Sequence, residues 1–434
     1  MTHDQTFEVL HGDCLAAMQS MPDESVDAVV CDPPYGISYF SRGWDKALPA
    51  AACWSEALRV AKPGAHILAF GASRMFHRLA VAIEDAGWEV RDTCTWIYAG
   101  SFPKSLDIAK ALDASDRIGF SRDRALKFTA FMREVGMTAK ELNAATNSFM
   151  GSHFLTDKEQ PQVATEDMFA VLRPMIQARG FDIPDEIEEF VRARTTESEN
   201  LKRRKVTGTR LMADFKNSRP VAAAAQGLDK IDRREVELTE AHTEEAKKWV
   251  GWGTQLRPSQ EFIVVGRKPF KGTVGSCVSK NGTGAMNIGA CRIPGDEEGT
   301  TRWPANVILD GSPEATSGFP FDQGGSASRY FFCTKPTEAE RHAGARDVGL
   351  ENVHSTLKPV ELMRWLVKLV TQPGGLMLDP FCGSGTTGVA CRMDGFRFIG
   401  CELEAEQVAI ARARIAAIDM QPDLFHFPME AAAE

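Results

Sequence analysis

Residues 376–390 read Leu-Met-Leu-Asp-Pro-Phe-Cys-Gly-Ser-Gly-Thr-Thr-Gly-Val-Ala, an apolar run that ends in an acid, turns on glycine and passes into helix-forming sequence. This order commits the chain to a strand–turn–helix unit of an α/β sheet. Gly383 and Gly385 let the backbone turn tightly and approach a nucleoside closely, with the helix beginning near Thr386. The next apolar run, Phe398-Ile399-Gly400-Cys401-Glu402, reads as the following strand and again ends in an acid. Glu402 stands about twenty residues beyond the glycines, the distance at which a carboxylate reaches ribose hydroxyls in nucleoside-binding βαβ units. The pattern Gly383-x-Gly385-x-x-Gly388 fits a dinucleotide fingerprint equally well, so this end of the chain alone leaves NAD open as its ligand.

A second motif stands near the other end. Asp32-Pro33-Pro34-Tyr35 follows the apolar run 26–30, and so falls at the carboxyl end of a buried strand, where open α/β sheets hold ligands. The Asp32 carboxylate and the Pro33 carbonyl are two acceptors for one exocyclic amino group. The prolines stiffen the loop so that both acceptors face one point, and Tyr35 offers a flat face to a planar ring. Two acceptors make the nitrogen lone pair more available for attack on a methyl donor. An NAD-dependent oxidoreductase explains the glycines and leaves this loop without a role.

Together the two motifs resemble the S-adenosylmethionine-dependent DNA amino-methyltransferases, which act on adenine N6 or cytosine N4. The catalytic loop comes first and the cofactor loop last, as in the permuted beta group of that family. His11-Gly12-Asp13-Cys14, residues 252–269 and His354-Ser355-Thr356-Leu357-Lys358-Pro359 extend the resemblance over roughly residues 7–108 and 250–418. It implies a circularly permuted, Rossmann-like methyltransferase sheet. Asp32, Pro33, Pro34 and Tyr35 then form the catalytic loop, with Tyr35 stacked on a flipped base. S-adenosyl-L-methionine is the implied cofactor, held by Asp379, Phe381, Gly383, Ser384, Gly385 and Thr386, with Glu402 at the ribose, Asp13 at the adenine amino group and Lys358 near the carboxylate. Trp44 and Asp45 follow the catalytic loop as candidate pocket walls. His11 and His354 read as structural, since the methylated nitrogen loses its proton readily.

In the resembled family, Asp at the first loop position leans toward adenine N6, with cytosine N4 as the alternative. A DNA-binding regulator with an inactive methyltransferase fold is the competing reading from a different class, and RNA a further substrate. The implied partner is double-stranded DNA. A homodimer and a restriction endonuclease of the same modification system are further candidates.

The organisation follows from the spacing of the motifs. Residues 1–100 alternate strand and helix and form the catalytic half. Residues 88–98 read as a strand whose partner is 261–265. Between them lies an insertion, 101–250, of about 150 residues, too long to be a structureless loop. It reads as largely helical, with a helix-turn-helix pattern near 128–160. There Thr138 and Glu141 form a capping box, and a further helix is expected near Met150. Residues 181–250 read as a charged arm or helical hairpin. Residues 251–267 return to the sheet, 268–350 form an irregular target-recognition region, 351–420 the cofactor-binding half and 421–434 a tail.

The net charge of −9 excludes a broadly basic surface, so phosphate contacts must come from local patches. The best is Lys202, Arg203, Arg204 and Lys205, with Lys104 and Trp44 as further candidate nucleic-acid contacts. The ten cysteines form no Cys-x-x-Cys pair and mostly sit in apolar runs, which predicts reduced core residues, a cytoplasmic location and no metal site. The apolar runs are too short for a membrane span, and the polar start does not resemble a signal peptide.

Overall fold

The computed structural model describes residues 7–37, 45, 47–98, 105–114, 122–157, 161–213, 233–295, 297, 299–316, 319, 321–322, 325–333 and 357–420. Trp44, Lys104, Thr356, His354 and the tail 421–434 lie outside the described residues.

The first half supplies strands β1 (Phe7–His11), β2 (Val26–Cys31), β3 (Ala61–Ala72) and β4 (Glu89–Ile97). The insertion carries β5 (Val206–Ala213) and β6 (Arg233–Thr239), and β7 (Gln260–Arg267) returns to the sheet. Short strands follow: β8 (Ile293–Pro294), β9 (Thr301–Arg302), β10 (Val307–Leu309), β11 (Phe321–Asp322), β12 (Gly325–Ser326) and β13 (Phe332–Cys333). The last half adds β14 (Leu376–Asp379) and β15 (Arg397–Glu402). Nine strands make one sheet in the order β1-β15-β14-β2-β3-β7-β4-β10-β13.

Strand alternation explains why this sheet is buried on both faces. Ala28 and Val30, Leu68 and Phe70, and Met377 point into one core with the helices Val360–Val370, Thr386–Met393 and Ala405–Met420. Val29 and Cys31, Ile67 and Ala69, and Leu378 point into the other, with the helices Cys14–Gln19, Ala51–Val60 and Phe76–Asp85. Such near-continuous apolar runs are the signature of strands covered on both sides.

The two halves of the chain meet where β14 pairs with β2 in parallel, Met377 opposite Ala28 and Leu378 opposite Val29. Buried Asp27 ties this seam, accepting from the Leu376 N–H at 2.7 Å and from Lys62 Nζ at 2.6 Å. From β14 the chain crosses to β15 on one side, and from β2 to β3 on the other, so the strand order reverses here. The carboxyl ends at such a reversal splay apart and leave a crevice, the usual ligand site of an open α/β sheet.

The expected partner of residues 88–98 is the observed one: β4 pairs with β7 through Cys94–Ile263 and Trp96–Glu261. The sheet is mixed, because β7 runs antiparallel to both β3 and β4. The insertion leaves and returns at one sheet edge, with the Tyr98 N–H bonded to the Ser259 carbonyl, so the strands flanking it pair like the arms of a hairpin.

The insertion has its own core, built around Phe128, Phe154, Phe169 and Leu172. Its helices Arg122–Glu134 and Ala139–Thr146 flank the expected turn, and Thr138 and Glu141 form the expected capping box. No helix starts at Met150. Asn147 turns left-handed at φ 47°, Gly151 packs against the preceding helix, and the next helix is Glu166–Ala178. The charged stretch is the helix Asp185–Lys202 followed by the antiparallel β5–β6 pair, not a helical hairpin.

One member of the basic patch is corrected by this packing. Arg204 is 7% exposed and forms an ion pair with Asp113, while its Nε donates to Thr239 at 2.8 Å. It locks the end of the long helix to β6 and is not presented to a phosphate. Lys202, Arg203 and Lys205 remain exposed. Arg204→Ala leaves the buried Asp113 carboxylate with its His242 and Thr243 donors but without this counter-charge, so a loss of about 3 kcal/mol, the low end for a broken buried pair, is expected in urea unfolding of the insertion. Arg203→Ala is expected to change little.

The region 268–350 is less separate than its composition suggests. β10 and β13 extend the central sheet in parallel register beyond β4, and the helix Val274–Asn281 packs on the β3 side, with Thr283 bonded to the Pro63 carbonyl. The nine cysteines Cys14, Cys31, Cys53, Cys94, Cys277, Cys291, Cys382, Cys391 and Cys401 are free, and all but Cys14 are buried. Among the described residues no helix is long and apolar enough to cross a membrane.

Candidate active site

The Asp32 loop leaves β2 and the glycine loop leaves β14, so the seam between the two halves sets them side by side. Asp45 shapes the first loop from below. Its buried carboxylate accepts from the N–H groups of Tyr35 at 2.7 Å and Gly36 at 3.0 Å. Gly36 has φ +66°, and a Cβ there would sit 2.9 Å from the Leu48 nitrogen, so the turn after the motif needs glycine.

Four side chains close a polar cluster above β2, β3 and β7. The Tyr35 hydroxyl lies 2.7 Å from Asp32 Oδ1 and 2.9 Å from Glu261 Oε2. Lys358 Nζ donates to Asp32 Oδ2 at 2.6 Å and lies 3.2 Å from Glu261 Oε2. The ammonium sits 4.9 Å from the centre of the Phe70 ring, a cation–π contact that also shields it from water. Burial works against the Lys358 charge, but the Asp32 and Glu261 carboxylates outweigh it and hold its pKa above the ordinary lysine value. Burial, with the same two carboxylates, pushes the Tyr35 phenol well up, so its proton stays on.

Lys358 therefore sits on Asp32, where the sequence assigned it to the cofactor carboxylate. The cause is positional. Lys358 stands two residues before the helix Val360–Val370, whose apolar face packs over the sheet and delivers the lysine to the ends of β2 and β3. Glu261 was not among the sequence candidates. An acid opening the apolar run Glu-Phe-Ile-Val-Val was the available signal, but only an antiparallel β7 sets it opposite Ala72, at the carboxyl edge.

The second loop is organised by acids and by one arginine. Asp379 ends β14; its Oδ1 accepts from the Phe381 N–H at 3.0 Å and its Oδ2 from the Thr387 hydroxyl at 2.5 Å. Burial raises its pKa to about 7; the Thr387 hydroxyl and the Phe381 N–H oppose the rise, and the Asp32 and Glu402 charges add to it. Glu402 ends β15 and accepts from the Gly383 N–H at 3.0 Å and the Glu404 N–H at 2.8 Å. Its pKa is also raised, chiefly by burial. Asp13 stands beside it, because β1 pairs with β15 through His11–Glu402. Asp13 is exposed and caps the helix Cys14–Gln19 by accepting from the Ala16 N–H at 3.1 Å. His11 bonds the Leu403 carbonyl at 3.2 Å, a structural position.

Gly383 and Gly385 have φ of 51° and 81°, and a Cβ on Gly385 would meet the Ala411 backbone at 2.9 Å. Buried Arg414 reaches under the turn, donating to the Ser384 carbonyl at 2.6 Å and standing 3.2 Å from the Ser384 and Thr386 hydroxyls. Those two hydroxyls thus face the protein interior and hold the loop. Phe381 packs against Trp54, ring centres 5.9 Å apart. Among the described residues no group of His, Cys, Asp and Glu could hold a metal.

The arrangement presents a carboxylate loop able to grip an amino group beside a glycine turn flanked by acids. A family model described as DNA methylase, of the N6_N4_Mtase type, matches residues 26–413. Type II methyltransferase M2.DpnII of Streptococcus pneumoniae is 47% identical over 64 residues, 15% of this chain and 24% of that protein. Type II methyltransferase M.XycI of Xanthomonas campestris pv. cyanopsidis is 42% identical over 62 residues, 14% of this chain and 21% of that protein. The aligned stretches thus span under a quarter of either relative. Among solved structures, the M1.HpyAVI–SAM complex overlays with a TM-score of 0.38 at 14% identity, covering 94% of this chain and 98% of that one. PvuII DNA methyltransferase (cytosine-N4-specific) overlays at 0.40 and 12% identity, covering 97% and 93%. With the family model spanning both loops and the strands that carry them, the chain belongs to the N6/N4 DNA methylase family.

Proposed function

We propose that this protein is a DNA amino-methyltransferase that uses S-adenosyl-L-methionine and methylates the exocyclic amino group of a flipped base, with adenine N6 as the target. The observation that carries the reading is the adjacency of the Asp32 loop and the Gly383–Gly385 turn at the reversal of strand order. Two loops at that crevice can serve two ligands side by side, as a direct transfer requires.

The donor set suits a nucleoside. Glu402 has both oxygens anchored by backbone N–H groups, and each oxygen keeps a lone pair for a ribose hydroxyl. Asp13, exposed next to it, accepts from an adenine amino group. Asp379 and the glycine turn take the methionine end. When bound, S-adenosyl-L-methionine supplies an electrophilic methyl group on a positively charged sulfur. Asp32 and the Pro33 carbonyl hold the target amino group, and the Tyr35 ring covers the base. A paired base cannot reach this loop, so double-stranded DNA must surrender the target by base flipping. Direct displacement needs no enzyme nucleophile.

The test is mass spectrometry of modified nucleosides in DNA from a methylation-free host that expresses the chain. New N6-methyladenine is the expected result. N4-methylcytosine would keep the mechanism and overturn the base. Neither product, from a protein that still binds S-adenosyl-L-methionine, would overturn the enzymatic reading in favour of a binding role.

A further inference from the structure

Methyl transfer to a neutral amino nitrogen breaks one S–C bond, forms one N–C bond and leaves the nitrogen with one proton too many. That proton must go somewhere once the base and the donor cover Asp32. The four-residue cluster offers a route. Its two carboxylates face a single ammonium, which leaves one negative charge in excess and room for one proton. The Tyr35 hydroxyl lies between Asp32 and Glu261, 2.7 Å from one carboxylate and 2.9 Å from the other. A hydroxyl has one proton and two lone pairs; one lone pair accepts from Lys358 Nζ at 3.1 Å, and the other can accept from Asp32 while the hydroxyl gives its own proton to Glu261.

Resting on the methyltransferase reading, we propose that Glu261 is a positioning residue for proton removal, drawing off through the Tyr35 hydroxyl the proton that Asp32 takes from the methylated nitrogen. The step balances: the nitrogen loses one proton, Asp32 and Tyr35 end unchanged, and Glu261 ends as a carboxylic acid. The alternative path through Lys358 would require the ammonium to release a proton first, and its two carboxylates hold that proton on. The Glu261 side chain is 18% exposed against 6% for Lys358, so the end of the relay is the more open of the two to water. The Tyr98 phenol is pushed up by burial and by the Glu261 charge, so its own proton stays on.

Single-turnover methylation of DNA by the full chain tests the relay with Glu261→Gln, Tyr35→Phe and the double variant. Each single variant is expected to slow transfer about a hundredfold, the low end for a positioned proton acceptor, with affinity for S-adenosyl-L-methionine unchanged. The double variant should be no slower than the slower single, because both break one path. Formate added to Glu261→Ala, which leaves room for a small carboxylate, should restore part of the rate. Additive losses without formate rescue, or rates equal to wild type, would overturn the relay. Tyr35→Phe keeps the ring and carries the same prediction if Glu261→Gln folds poorly. A wild-type chain that methylates no DNA would instead overturn the methyltransferase reading beneath the proposal.

Discussion

Asp32→Ala is expected to cut methyl transfer about a thousandfold, near the middle of the range for a positioned acid–base group, while binding of S-adenosyl-L-methionine stays within about twofold. The carboxylate is a charged acceptor of the catalytic loop, and its side chain is still 22% exposed. Without it an incoming amino group has the Pro33 carbonyl alone and loses its alignment. The Lys358 ammonium, 6% exposed, would then keep the Glu261 carboxylate as its one counter-charge within the cluster, with the Tyr35 hydroxyl at 3.1 Å as a neutral partner. Asp32→Asn is therefore the informative companion. It preserves shape and an acceptor but not the charge that balances Lys358, and should lose nearly as much rate. Radiolabelled methyl transfer measures the rate and calorimetry the cofactor affinity. Methylation near the wild-type rate by either variant would remove Asp32 from the reaction.

Asp379→Ala should do the reverse and strike the cofactor first. Deleting this carboxylate leaves the Phe381 N–H and the Thr387 hydroxyl without their acceptor, a loss of about 1–3 kcal/mol that falls on the glycine turn itself. Affinity for S-adenosyl-L-methionine is expected to drop about ten- to a hundredfold, read by calorimetry. An unchanged affinity would refute the placement of Asp379 at the methionine end. A pH effect accompanies it. The folded-state pKa, about 7, lies above the ordinary 3.8, so the folded protein binds the proton more tightly than the unfolded chain. The stability this contributes is full below 3.8 and is lost as pH rises through about 7. The thermal midpoint of the free wild-type chain should fall over that window by more than that of Asp379→Asn, which has no proton to lose there.

The catalytic and cofactor loops were legible because each is a local event. An apolar run, an acid, and then proline or glycine states a strand end and a sharp turn without reference to the rest of the chain. The capping box at Thr138 and Glu141 was legible for the same reason, since both partners lie within one helical turn. What failed was contact at long range. Arg204 looked like part of a basic patch because its neighbours are charged; its partner, Asp113, lies 91 residues away. Ser384 and Thr386 looked ligand-facing in a glycine loop, yet Arg414 claims them from a helix 28–30 residues further on. Asp45, which bonds two N–H groups of the catalytic loop, lies on no recognisable motif.

By itself, then, the sequence determined the α/β class, the two loops and their order along the chain, because strand alternation and turn chemistry act over a few residues. The tertiary structure decided which side chains meet. β14 enters the sheet beside β2, so the two loops share one crevice although 347 residues separate Asp32 from Asp379. The return of the insertion to its own sheet edge makes β7 antiparallel, and that direction alone delivers Glu261 to the end of the sheet where Tyr35 and Lys358 wait. A strand's direction and its neighbours depend on where the whole intervening chain goes, and burial of both sheet faces, not any local preference, fixes that path.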